Sequence, residues 1–563
     1  MRPAALTVFL WLVALGTAQS QSSSPVIIPG SEVRDHAIQP QHTWVHFPTS
    51  GRWMAIPLRL TLTVSPQGTV IGAEPHGNPE QMQAWPAAQA VVYGWTYRPF
   101  LRSGEPVIAL IQSSISIVPP EVPPSAVPEP GLKPDSQIIL SLQRTVCYGS
   151  CPEYTVILSN TGVTFEGGRW SAEDGTHHAP LEQDALRAVA KHMLDAGWFG
   201  LKDSYHGNWT DNPAQTITLS IDGKTKKVVD YVGTDAGMPD FVRDAEFEVD
   251  HLAGSDRWVK AASGLAMLLQ AEGYDFKTYA AQSLLRSAAS NGDASSVREL
   301  LAAGVARDTL AKPLQQIQTW GESWSGYDGL LTTAVRHPDV LKVMIASRVS
   351  SQNELEKNLA FVASVRAGQA ESARLLLAYG ADPTVSFGEL KRHTDASAYW
   401  INDSTDLLTS AVKSANPEVV QLVLVTKEWK DPLRVRRGKF LVDLAYSANP
   451  ENLNNLAECA HLLLQAGADV GATDDRGRTA LHFARGASFA KELVEAGANV
   501  DAQDVDGNTP TFSTYDPDIF RILVRHGANL QIRNRAGQNA MQNPHRSAQE
   551  WAPIYAEFQA KPS

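Results

Sequence analysis

Basic charge is scarce in this chain. It carries 48 Lys and Arg against 60 Asp and Glu, a net charge of −12 and a pI near 5.7. A face that grips phosphates needs the opposite balance, so the composition argues against a nucleic-acid partner. Signatures of catalysis are missing too. There is no Gly-x-Ser-x-Gly elbow, no phosphate loop and no zinc-protease helix. His42 and His46 have no neighbouring Glu and fall far apart along a strand, which removes them as metal ligands. The expectation is therefore a chain that is not an enzyme, with no cofactor, no metal and no small-molecule substrate. After the N-terminal segment no apolar run is long enough to cross a bilayer. Cysteine is rare as well: Cys147 and Cys151 stand close together, and Cys459 falls within an apolar helical stretch.

What is present begins with an address. Arg2 is followed by an apolar run from Ala4 to Ala14, then by the small residues Gly16-Thr17-Ala18 and a polar stretch from Gln19 to Ser24. Residues 1–20 read as a secretory signal peptide, which predicts a periplasmic or secreted protein. The alternative is an uncleaved signal anchor, the one route by which this chain would touch a membrane. No Cys follows the run, which argues against a lipoprotein.

The end of the chain repeats itself. Gly467-Ala468-Asp469 returns as Gly497-Ala498-Asn499 and as Gly527-Ala528-Asn529, and Gly477-Arg478-Thr479-Ala480-Leu481-His482 keeps the same 30-residue step as Gly507-Asn508-Thr509-Pro510 and Gly537-Gln538-Asn539-Ala540. Two markers in step signal a solenoid. Thr479 is placed to cap a first helix bearing Ala480, Leu481 and Ala484, and Ala490, Leu493 and Val494 form a second that Gly497 ends. This resembles the ankyrin repeat, with its Thr-Pro-Leu-His signature present as Thr479-Ala480-Leu481-His482. The 30-residue step predicts a clipped turn between the helices. Weaker pairs are legible upstream, from Leu284-Leu285 with Leu300-Leu301 to Leu441 and Leu444 with Leu462 to Leu464. The array is expected to span 280–545 in about seven repeats, with residues 546–563 as its cap.

Three insertions interrupt the array and are rich in aromatics and Arg: Trp320 and Trp324, then Tyr399 and Trp400, then Trp429 and Arg436. Such residues suit binding hot spots, so these six are the candidate partner-binding residues. The equal alternative is that they tuck against their own helices.

Two smaller modules precede the array. In 26–118, Leu58 to Val64 alternates as a half-buried strand, Ser65-Pro66-Gln67-Gly68 turns it, and a helix is expected from Pro79 to Tyr93 with Met82, Trp85, Ala88 and Val91 on one side. With Trp95-Thr96-Tyr97-Arg98-Pro99 and Gly104-Glu105-Pro106-Val107, the order resembles the C-terminal domain of the energy transducer TonB. That resemblance implies partner binding by strand addition at a sheet edge, and it keeps an envelope energy transducer as an alternative function. Residues 119–135 are a Pro-rich linker, expected to be extended and stiff.

In 136–262 strands and helices alternate, with a helix over Leu181 to Leu194, a hairpin at Asp222-Gly223, a helix over about Pro239 to Leu252, and Trp258 closing the unit. Cys147-Tyr148-Gly149-Ser150-Cys151-Pro152 and Trp198-Phe199 resemble a bacterial domain family of unknown function. The Cys147–Cys151 pair fits a local disulfide across the bend at Gly149. A free pair, a redox centre acting as a thiol-dependent enzyme, and a zinc site with His177, His178 or His206 stay open. The polar setting of His177 and His178 predicts a solvated loop. The whole reads as a multidomain chain: α+β modules, then an all-α ankyrin-repeat solenoid, acting as a protein-interaction scaffold in the bacterial envelope.

Overall fold

The computed structural model describes residues 25–28, 33, 36–38, 43–48, 55–102, 105–308, 329–385, 390, 406–426, 438–449 and 452–559. The expected signal segment lies outside them. No described helix is long and apolar enough to cross a membrane. The chain forms two compact units, one up to Pro120 and one from Glu121.

The first unit is built on the predicted alternation. Strands β1 (Val26–Ile27), β2 (Trp44–His46), β3 (Ile56–Val64) and β4 (Val70–His76) precede a short ribbon, β5 (Leu101–Arg102) and β6 (Glu105–Pro106), and a long final strand, β7 (Ala109–Val118). The main sheet runs β1-β7-β3-β4, with β2 also on β7. Leu58, Leu60, Leu62 and Val64 of β3 face inward with Ile111 and Ile115 of β7, all fully buried, the outcome a period of two requires. The helix expected from Pro79 to Tyr93 is two helices, α1 (Pro79–Gln83) and α2 (Trp85–Val92). Asn78 and Gln81 close a reciprocal cap on α1. Pro86 has no N–H for the next helical bond, so the run breaks at Ala84. The break rotates the inner face to Ala84, Ala88 and Val92, while Met82 is exposed.

In the second unit a seven-stranded sheet comes first: β8 (Ile138–Arg144), β9 (Tyr154–Ser159), β10 (Gly162–Gly167), β11 (Gly175–Ala179), β12 (Ser204–His206), β13 (Gln215–Ile221) and β14 (Lys224–Tyr231). Its order is β11-β10-β9-β8-β13-β14-β12, antiparallel except that β12 runs parallel to β14. Helices α3 (Gln183–Asp195) and α4 (Asp240–Ala253) pack on it through Leu186, Ala190, Met193, Val242, Ala245 and Val249.

The Pro-rich segment is not a free spacer. It lies along this sheet-and-helix body as a strap. Val122 N donates to Gly237 O at 2.7 Å, Ser125 N to Gly200 O at 2.8 Å, and Phe199 N to Glu129 Oε1 at 3.0 Å. A chain fixed in an extended form by proline loses little entropy on docking, and its free carbonyls and remaining N–H groups find partners. The closeness depends on Gly200, where an added Cβ would sit 2.0 Å from Ser125 O.

Nor does the module end at Trp258. That ring is buried and stacks on Phe165 at 4.9 Å, but the core continues. Helix α5 (Leu265–Ala271) buries Leu265 and Leu269, Phe276 follows, and one apolar core runs without interruption from Ile138 to Ala528. The first repeat holds the start of α5 directly: Ser263 N donates to Asp293 Oδ2 at 2.9 Å and Gly264 N to Glu299 Oε2 at 2.7 Å. His177, expected in a solvated loop, is instead a buried residue of β11 whose Nδ1 meets Glu272 Oε2 at 2.7 Å.

Helix pairs then stack in sequence: Tyr279–Ser290 with Ala294–Ala303, Leu330–Thr333 with Pro338–Ala346, Glu354–Arg366 with Ala370–Ala378, Leu407–Ser414 with Pro417–Leu424, and Phe440–Tyr446 with Leu453–Gln465. The last repeats depart from the expectation. The shortening is taken from the first helix itself, reduced to the single turns Ala480–Phe483, Pro510–Ser513 and Ala540–Gln542, while the second helices Ala487–Glu495 and Pro517–Arg525 stay whole. Gly467, Gly497 and Gly527 end second helices at φ of 95°, 88° and 91°, where a side chain would be strained. A closing helix, Ala548–Gln559, seals the array: Trp551 and Ile554 pack on Phe520, and the Arg546 guanidinium lies 4.1 Å from the Trp551 ring.

Gly200→Ala is expected to lift the strap and lower the stability of the full chain by about 2 kcal/mol, the cost of an overpacked contact. Gly131→Ala, with nothing near the added carbon, is its neutral control. Urea midpoints and the rate of proteolytic cutting in the strap check this.

Candidate functional site

Each finger of the final repeats is a turn organised by one carboxylate or amide. Asp474 Oδ1 accepts from the N–H groups of Arg476 and Arg478, both at 2.9 Å. Asp504 repeats this with Asp506 and Asn508, and Asn534 with Ala536 and Gln538. Neighbouring fingers are then joined by Val505 N to Arg476 O and Arg535 N to Asp506 O, each 2.9 Å. The step of thirty residues in the sequence is thus a hydrogen-bond repeat in space.

This order displays a set of side chains. Tyr446 is 53% exposed and its ring lies 4.3 Å from that of Phe483, over which the Arg478 guanidinium sits at 4.4 Å. Arg478 Nη2 donates to Tyr446 Oη, and Tyr446 Oη donates to Asp474 Oδ2, both at 2.8 Å. Partial burial pushes the Asp474 carboxyl up, but the Arg478 N–H and guanidinium outweigh it and bring it down to about 2. Arg476 reaches Asp506 of the next finger at 2.9 Å, and Val505 is exposed between them. Aromatic and Arg groups held in fixed rotamers lose little entropy when a partner covers them.

His482 locks adjacent repeats. Its Nε2 is 3.0 Å from Asn508 O and its Nδ1 is 3.1 Å from Thr479 N. Donation to a carbonyl at one end and acceptance at the other define a neutral imidazole. Burial lowers its pKa, and the Asn508 bond offsets this only in part.

The six side chains marked in the insertions, Trp320, Trp324, Tyr399, Trp400, Trp429 and Arg436, lie outside the described residues. Cys147 and Cys151 are joined as a disulfide. The bond closes a loop between the end of β8 and the start of β9, with Tyr148 91% exposed at its tip and Tyr148 N bonded to Asp211 O at 3.1 Å. Cys459 is buried, and burial pushes its thiol up to about 12, which leaves it inert.

Sequence reasoning missed one cluster altogether. Arg243, Glu246 and Asp250 of α4 meet Arg144, Tyr154 and Asp230 of the sheet. The signal was available: Glu246 falls among Val242, Ala245 and Val249, the apolar positions of its helix.

Comparison with known proteins fits this geometry. Residues 138–253 match the family described as Domain of unknown function (DUF6438), and residues 444–542 match Ankyrin repeats (3 copies). The C-terminal region is an ankyrin-repeat solenoid. No curated protein matches the chain. Among solved structures, the human ASB11 ankyrin repeat domain is 16% identical over 50% of this chain and 99% of its own, with a TM-score of 0.27. The ankyrin repeat domain of Bcl-3, a member of the IkappaB protein family, is 22% identical over 43% and 97%, with a TM-score of 0.26. The match to ankyrin repeats supports a protein-binding role for this region.

Two outcomes follow. The array should lose stability as pH falls through the ordinary histidine value of about 6.5, because the unfolded His482 takes up a proton that the folded one refuses. A His482→Leu variant, though less stable, should lack that component in urea titrations at several pH values. Replacing both Cys147 and Cys151 by Ser should cost only about 2 kcal/mol, since the loop they close is short, measured by the same midpoints.

Proposed function

We propose that this chain is a non-catalytic interaction scaffold of the bacterial cell envelope that holds another protein on the finger edge of its ankyrin array. The observation that carries this is the preformed set of Tyr446, Phe483, Arg478 and Asp474, bonded to one another and presenting the exposed Tyr446 ring to solvent. A group of this composition suits a hot spot. The insertions carrying Trp320, Trp324, Tyr399, Trp400, Trp429 and Arg436 extend the same binding role in this reading. The envelope location rests on the signal-like first 20 residues.

A second reading gives the first unit a binding role of its own. Strand β4 ends the sheet order β1-β7-β3-β4, a sheet edge of the kind to which a partner strand is added.

Affinity capture from periplasmic extract with the full chain as bait tests the first reading. Tyr446→Ala with Arg478→Ala, and separately alanine at Trp324, Trp400 and Trp429, should each weaken capture of the same protein by roughly tenfold or more, as loss of hot-spot residues does. Capture unchanged by both sets defeats the array as the docking edge.

A further inference from the structure

The middle module buries more acid than base at one point. Arg144 at the end of β8 donates through Nε and Nη2 to Asp250 Oδ2, at 3.0 and 2.8 Å, and Tyr154 of β9 donates to Asp250 Oδ1 at 2.8 Å. Arg243 Nη2 lies 2.9 Å from Asp230 Oδ2 of β14, and Asp230 Oδ1 accepts from Gly233 N at 2.6 Å. Between these two pairs sits Glu246, only 1% exposed. It lies 3.6 Å from Arg243 and 3.7 Å from Arg144, and neither of its oxygens accepts a hydrogen bond.

Two guanidinium groups therefore face three carboxyl groups. With every acid ionised, the cluster carries one uncompensated negative charge, and two of its three carboxyl groups, Glu246 and Asp230, are buried, which is a costly arrangement in a protein. One added proton makes the cluster neutral. It also gives Glu246 a donor, and Asp230 Oδ2, which likewise accepts no hydrogen bond, lies against the same Arg243. The other ionisable groups nearby are engaged elsewhere. His192 of α3 pairs with Glu248 on the outer side of α4, and Asp235 accepts from Trp209 Nε1 at 2.7 Å. The backbone at this point is strained in support: Val232, two residues after Asp230, has φ of 52°, a conformation that β-branched residues avoid.

We propose that Glu246 is a neutral carboxylic acid in the folded protein, that its proton relieves the repulsion between it and the Asp230 carboxylate, and that loss of this proton at alkaline pH loosens the middle module. Burial is the first cause of its raised pKa, the Asp230 carboxylate the second, and together they outweigh the two Arg groups to place it at about 8 against an ordinary 4.5. The sign follows. The folded state holds a proton that the unfolded state releases, so the contribution is complete below the ordinary carboxylate range and is lost as pH rises toward 8.

The test uses the full chain and Glu246→Gln, whose amide mimics the neutral acid and keeps the donor. The expected result is that the wild type loses roughly several-hundredfold in its folding equilibrium constant between about pH 5 and pH 8 relative to the variant. Equal pH dependence of the two proteins overturns the proposal. An infrared spectrum of the folded wild type at neutral pH gives an independent reading that does not need the variant to fold. A buried protonated carboxyl band that disappears as pH is raised supports the proposal, and absence of that band refutes it.

Discussion

A single helical turn such as Ala480–Phe483 buries no surface worth having by itself, and its stability comes from lying against its neighbours. That constraint governs the whole second unit. Once each pair must be covered on both sides, the array can have no bare end, and the two ends are covered by different means. At the C-terminal end the closing helix places Trp551 and Ile554 on Phe520. At the other, helix α5 and Phe276 carry the core of the α+β module straight into the first repeat. The middle module thus does for the first repeat what the closing helix does for the last.

The same constraint explains why the final repeats tolerate a shortened first helix. What passes from one repeat to the next is the stacked second helix, the finger bonds, and the His482 bridge to Asn508. None of these requires a long first helix. Residues removed from it shorten the repeat without breaking the register, and the fingers keep their thirty-residue hydrogen-bond step.

Much of this was legible in the sequence because it depends on local periodicity. The Gly-Ala pairs and Thr479-Ala480-Leu481-His482 fix the solenoid, and the alternation from Leu58 to Val64 fixes the central strand of the first unit. What was not legible depends on contacts between distant segments. Glu121 to Pro130 has the composition of a linker, and Phe199, Gly200 and Gly237, far along the chain, turn it into a strap. Likewise His177 looks solvated in a polar stretch until Glu272, 95 residues later, is brought against it. The Pro86 break could have been read directly, since a missing N–H in a helix has one consequence. The display around Tyr446 could not, because its partners come from the following repeat.

The second unit also places titratable groups in one continuous core with opposite needs. His482 must stay neutral to bridge two repeats, and burial holds it so. Glu246 must also stay neutral for its cluster to balance, and the same low-polarity surroundings act on it. Burial favours the uncharged form of both, but the uncharged form of an imidazole is the one without the proton and that of a carboxylic acid the one with it. Acid therefore attacks the array and base attacks the middle module. Because the two share a core from Ile138 to Ala528, their contributions pull the unit in opposite directions: that of Glu246 falls as pH rises from the carboxylate range toward 8, and that of His482 falls as pH drops below about 6.5.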